Sequence, residues 1–94
     1  MDHLPDFIKP DLWLTENICL DFTTLQGETE PTGALFVHRD RRDLARWCIG
    51  GFQWKGTGPL WTLVSRSPLT VQPSIQCLSC GEHGFITNGK WVPA

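Results

Sequence analysis

Two thiols three residues apart, followed at once by glycine, define the segment Cys77-Leu-Ser-Cys80-Gly81-Glu82-His83. A tight turn between two such thiols aims both sulfurs at one ion, and the glycine lets backbone amides approach them closely. This is the pattern of a zinc knuckle. A structural zinc takes four ligands, so two more donors are needed. His83, three residues beyond Cys80, is the nearest third candidate. For the fourth, Cys48 or His38 is favoured, because a distant ligand would tie the middle of the chain to its C-terminal part. Cys19 and His3 are the remaining choices. Cys19 and Cys48 also read as small buried hydrophobes, as free cysteines often are.

Other chemistries fit the residues less well. A thioredoxin-like Cys-x-x-Cys opens a helix, which lowers the pKa of its first thiol, whereas here the motif leads into a hairpin pattern. Zinc deaminases add an upstream His-x-Glu whose carboxylate moves protons. No His-x-Glu occurs, since His38 is followed by Arg39-Asp40 and Glu82 directly precedes His83. No phosphate loop is present and nothing orients a Cys/His nucleophile pair. A non-enzymatic protein is therefore expected, with no small-molecule substrate.

Arg39, Arg41, Arg42 and Arg46 form the one basic cluster, and with nearby tryptophans they are candidates for partner binding. Phosphate contact and base stacking are one use of such a cluster. Asp40 and Asp43 dilute it, however, and a pI near 5.8 lies far below that of nucleic-acid modules. The charge is uneven along the chain. Residues 1–37 hold seven acids against Lys9 alone, while seven of the eight bases lie beyond them. Packing of one part against the other, or simple solvation, accounts for that asymmetry.

These residues need elements to position them. Ninety-four residues make one domain. A chain of this size buries only roughly 60–65% of the surface its unfolded form exposes, so extra stabilisation is useful. Five tryptophans without a tyrosine read first as core. Residues 1–11, with Pro5 and Pro10 among acids, read as an irregular arm. Leu12 to Leu25 holds at least one strand, Gln26 to Gly33 a loop, and Ala34 to Val37 a short buried strand. Asp40 reads as the cap of a helix over 40–50, with Asp43 as a weak capping-box partner. Leu44, Trp47 and Cys48 would form its buried stripe, and Gly50-Gly51 its end. Phe52–Lys55, Leu60–Val64 and Leu69–Val71 read as further strands. Residues 74–92 carry the knuckle and a hairpin around Asn88-Gly89. The predicted fold is α+β: a small antiparallel sheet, one short helix packed on it, and the zinc-knuckle hairpin at the C-terminal end.

Met1-Asp-His-Leu-Pro-Asp6 lacks a basic start and an apolar run, and no stretch approaches a membrane span. A reducing cytoplasm is the expected compartment, where four cysteines favour metal or burial over disulfides.

The C-terminal half resembles an uncharacterised domain of tailed phages. The residues that carry the likeness are Leu69-Thr-Val-Gln-Pro73-Ser74-Ile75 and His83-Gly-Phe85-Ile86-Thr-Asn88-Gly89-Lys-Trp91. The segment Asp43-Leu-Ala-Arg-Trp47-Cys48-Ile-Gly50-Gly51 is similar to one in small uncharacterised proteins of actinobacterial phages. Where that phage domain has Cys directly before its His, this chain has Glu82. The resemblance implies a phage-encoded protein in a host cytoplasm. Together with the residues, it leads to the expectation of a metal-stabilised module that binds and modulates a host protein. A nucleic-acid-binding regulator using Arg39–Arg46 is the alternative, and a small metal-dependent enzyme comes third.

Overall fold

Short runs of β-branched and aromatic residues separated by turn formers dominate this chain, and in the computed structural model every such run is a strand. The structure describes residues 4–94. Strands β1 (Leu12–Thr15), β2 (Ile18–Thr23), β3 (Gly33–Asp40) and β4 (Asp43–Gln53) form one antiparallel sheet in that order. Strands β5 (Thr62–Arg66), β6 (Leu69–Gln76), β7 (His83–Thr87) and β8 (Lys90–Pro93) form a second, again in sequence order. Each sheet is thus a meander of local hairpins. The fold is all-β, and the α+β expectation is overturned: no helix occurs among the described residues, so no helix is long and apolar enough to cross a membrane.

The helix expected over 40–50 is instead the β3–β4 turn and most of β4. Asp40 does cap, but it caps a turn: its Oδ1 accepts the Arg42 N–H at 2.7 Å. Leu44, Trp47 and Cys48 do not share a face. Trp47 lies opposite Arg39 and Cys48 opposite His38, while Leu44 is exposed. Two and a half helical turns would have been marginal alone. Trp47, Cys48, Ile49 and Phe52 suit a pleated surface, and β3 offers an eight-residue partner. Gly50 and Gly51 pair with Phe36 and Leu35 within the ladder and end no helix.

The two sheets pack face to face through one core. Leu14, Ile18, Leu20, Ala34, Phe36 and Phe52 from the first sheet meet Leu69, Val71, Ile75, Ile86 and Trp91 from the second. A smaller cluster on the outer face of the first sheet joins Cys19 and Val37 to Ile8, with Leu4 and Trp47 against it. Of the arm expected over 1–11, residues 1–3 and with them His3 lie outside the described residues. The remainder is pinned rather than loose, since the Asp11 N–H donates to the Leu20 carbonyl at 2.8 Å and the Lys9 N–H to Asp21 Oδ2 at 3.1 Å. At the C-terminal end, Asn88 (φ 52°) and Gly89 (φ 75°) form the two-residue turn between β7 and β8. Both central residues have positive φ, as the hairpin turn favoured by strand twist requires.

Candidate metal centre

His38 and Cys48 are direct cross-strand partners on β3 and β4. Residues opposite one another in an antiparallel ladder point to the same face. Alternation along β3 puts that face on the inner side, with Phe36 and Ala34, so both donors look towards the second sheet. The loop between β6 and β7 comes up to meet them. Within it the Cys77 carbonyl accepts the Gly81 N–H at 2.9 Å and the Cys77 N–H donates to the Glu82 carbonyl at 2.7 Å. Gly81 takes φ +85°, a conformation glycine adopts without strain. This closed turn presents Cys77 and Cys80 together.

The donor atoms of His38, Cys48, Cys77 and Cys80 all lie within 4.8 Å of one another. His38 Nε2 is 3.3 Å from Cys80 Sγ. A tetrahedral zinc with bonds of about 2.3 Å to sulfur and 2.0–2.1 Å to nitrogen has nitrogen–sulfur edges of roughly 3.5 Å. The cluster is therefore compatible with a bound metal, having one imidazole and three thiols at the spacing a single ion needs.

The electrostatics point the same way. Burial lowers the pKa of His38, against the opposing pull of Glu82 and Asp40, which favours the neutral imidazole that metals bind. The Cys48 thiol is pushed up to about 12, first by burial and then by the neighbouring Cys80 and Cys77. Cys80 goes the other way. Burial opposes its ionisation, but backbone N–H groups of Arg41 and Glu82 and the two other thiols bring its pKa down. The two thiols are thus driven in opposite directions. Three thiolates so close together require a cation.

The surroundings hold this group in place. The His38 ring stacks on Phe36, with centroids 4.6 Å apart and planes inclined by 29°. Among the described residues its buried Nδ1 has no hydrogen-bond partner, so ring stacking orients the imidazole where an acceptor usually does. Asp40 accepts two bonds from the Arg42 guanidinium, at 3.1 and 2.9 Å. Those bonds hold the Asp40 carboxyl well below the usual carboxylate range. Arg42 also donates to Ser79 Oγ at 3.2 Å, and Arg41 to the Gly81 carbonyl at 3.4 Å. Two arginines therefore join the β3–β4 turn to the knuckle loop. Three thiolates and a divalent ion carry a net charge of −1, and the Arg42 guanidinium interacts with the charges of Cys80 and Cys48.

The sequence-predicted residues divide accordingly. Cys77 and Cys80 come together with both Cys48 and His38, which were named as alternatives for one position. His83 does not join them. It has already entered β7, where its Nε2 is 2.8 Å from Ser74 Oγ. Cys19 is buried on the other face of the first sheet, with its thiol raised to about 11 by burial and by Asp21. Of the arginines, Arg39 lies over the Trp47 ring at 4.4 Å and donates to Asn17 Oδ1 at 3.0 Å. Arg41 and Arg42 brace the site, and Arg46 is exposed. Asp40, Ser79 and Glu82 are supporting residues that ligand spacing does not reveal. Asp40 alone leaves a sequence trace, as a turn-forming residue ahead of two arginines. Compared with protein-family models, curated proteins and solved structures, the chain finds no match.

Proposed function

We propose that this protein is a zinc-stapled, non-enzymatic binding module. The observation that carries the reading is the Cys48–Cys77–Cys80–His38 group itself. It supplies four protein donors, two from the first sheet and two from the β6–β7 loop of the second, within 4.8 Å. Structural zinc sites are closed by four protein ligands, whereas catalytic ones keep a position for water or substrate. Sulfur-rich tetrahedral donors suit zinc or iron. Elemental analysis of purified protein separates these, the expected result being about one zinc per chain and no visible absorbance. Removal of that zinc by a chelator is expected to abolish or sharply lower the thermal transition. Metal-free protein with an unchanged melting curve would overturn the reading.

The binding partner in this reading is a host protein in the cytoplasm of a phage-infected bacterium. That part rests on the sequence resemblance, and its test is affinity capture from host lysate with zinc-loaded protein. The nucleic-acid alternative has less support, because Arg39, Arg41 and Arg42 are engaged within the protein. Salt-sensitive oligonucleotide binding that disappears in the Arg41→Ala, Arg42→Ala double variant would revive it.

A further inference from the structure

The two sheets contribute unlike donors to the metal group. His38 and Cys48 stand on neighbouring strands of the first sheet, whereas Cys77 and Cys80 lie in the loop between β6 and β7. Both donors on the second sheet's side are therefore thiols, separated by only two residues. Two thiols can be joined by a two-electron oxidation, and metals are held by the thiolate. An imidazole offers no such reaction.

Access singles out one of the three thiols. A cleft of about 290 Å³ reaches the group, where Cys77, Leu78 and Ser79 line it together with His38. Cys77 is the one thiol among its lining residues. Leu78, beside it at the knuckle tip, is 92% exposed, while Cys19 is fully buried in the separate cluster on the outer face of the first sheet. A small oxidant arriving from solvent thus meets Cys77. The turn then supplies the second thiol. Cys80 is tethered two residues away in a loop closed by the bonds of Cys77 to Gly81 and Glu82, whereas Cys48 is fixed on the ladder rung opposite His38. The donor atoms lie within 4.8 Å and a disulfide sets its sulfurs at about 2.05 Å, a movement of no more than about 3 Å. An accessible sulfur beside a resolving one is the arrangement of redox-sensing cysteines.

We infer that the knuckle is a redox latch on the metal staple: hydrogen peroxide oxidises Cys77, Cys80 resolves it to a Cys77–Cys80 disulfide, and the site opens. This deepens the zinc-staple reading and rests on it. The Cys77 thiolate attacks one peroxide oxygen, so that an S–O bond forms, the O–O bond breaks and hydroxide leaves. The Cys80 thiolate then attacks the Cys77 sulfur; the S–S bond forms and the S–O bond breaks, with the second oxygen leaving as hydroxide. Two thiolates lose two electrons and one peroxide becomes two hydroxides. His38 and Cys48 remain, two donors on one sheet where a structural zinc takes four, and the tie between the sheets is lost.

The test treats full-length, zinc-loaded protein with excess hydrogen peroxide. Released zinc is read with a chromogenic chelator, alongside thiol content, disulfide position by peptide mass mapping, and the melting curve. The expected result is loss of the bound zinc together with two thiols per chain, and a Cys77–Cys80 disulfide on the map. The melting temperature should drop to that of chelator-treated protein, and a dithiol with added zinc should reverse every change. Cys19→Ala should respond as the native chain does. A disulfide that includes Cys48, loss of thiols with zinc still bound, or zinc loss that a dithiol cannot reverse would overturn the inference. Protein that carries no zinc and melts unchanged with chelator sinks the staple reading and the latch with it. Zinc-loaded protein that keeps its zinc under peroxide sinks the latch alone.

Discussion

Three thiols and one imidazole held within 4.8 Å are poor neighbours without a cation, and this sets what single substitutions should do. In the zinc-site reading, Cys77→Ser removes one of four donors and should release the metal, at a cost of about 4 kcal/mol or more. At 4–8 °C per kcal/mol for a domain of this size, the melting temperature should fall by roughly 16–32 °C. His83→Ala should keep the metal, because His83 makes a hydrogen bond to Ser74 and is not among the four grouped donors. Its expected cost is about 1 kcal/mol. Metal content measured on the two variants side by side tests the ligand assignment, and the reverse order would refute it. Cys19 gives a separate prediction at alkaline pH. Its pKa in the folded protein is raised to about 11, first by burial and then by Asp21. A group raised in this way adds stability that is complete below its unfolded value and is lost as pH rises through its folded one. Chemical denaturation between pH 8 and 11 should therefore show the native chain losing on the order of 2 kcal/mol more than Cys19→Ala loses. Parallel curves for the two proteins would show that the thiol is not the group responsible.

Glycines show how far each strand depends on what lies beside it. A Cβ at Gly84 on β7 would fall 2.6 Å from the Trp91 ring and 2.7 Å from the Val92 carbonyl. Trp91 is buried in the shared core, and its indole N–H donates to Glu82 Oε2 at 3.0 Å. Gly84→Ala should then cost about 1–3 kcal/mol, as overpacking does, and should alter the near-ultraviolet dichroism of the indole. Gly50→Ala has open space and should be neutral or stabilising by up to about 1 kcal/mol, since glycine inside a strand is unfavourable. Equal effects at the two sites would contradict this packing. The same neighbours decide which elements can be read from the sequence. The β7–β8 hairpin is legible because Asn88-Gly89 specifies its turn locally. The knuckle is legible because Cys-x-x-Cys-Gly closes its own loop. β4 is not, because a bulge between Arg39 and Asp40 interrupts its register with β3. Leu44, Trp47 and Cys48 then fall at helical spacing by coincidence, and Asp40 resembles a helix cap. Only pairing with β3, a non-local fact, decides between the two structures. His38 and Cys48 illustrate the same limit, since ten residues separate them in sequence and one rung of the ladder unites them. Proximity in sequence favoured His83 instead, and the reversal of the chain at Gly81 carries that residue away from the thiols.

Over the whole molecule, the metal would act as a cross-link between two meanders that each fold locally. The sheets already share a core, from Leu14 and Leu20 to Val71 and Ile86, but stability on the order of 5–14 kcal/mol is all a chain of this length ordinarily reaches. Apparent binding energies of about 10–16 kcal/mol are found for structural zinc in small domains. On that scale a bound zinc would contribute as much as the rest of the fold. Stability should then follow free zinc by mass action. In metal-buffered solutions each tenfold rise in free zinc should add about 1.4 kcal/mol, or roughly 6–11 °C in melting temperature. This slope depends on the unfolded chain having no affinity of its own. Cys77 and Cys80 are close in sequence and can hold zinc without the fold, whereas His38 and Cys48 meet Cys77 and Cys80 only once the sheets have assembled. The rise should accordingly flatten at the highest free zinc, where the isolated knuckle begins to bind. In Cys80→Ser, which destroys the local pair, no dependence on zinc should remain at concentrations that saturate the native chain. A melting temperature independent of free zinc in the native chain would mean that the two sheets hold together by their apolar core alone.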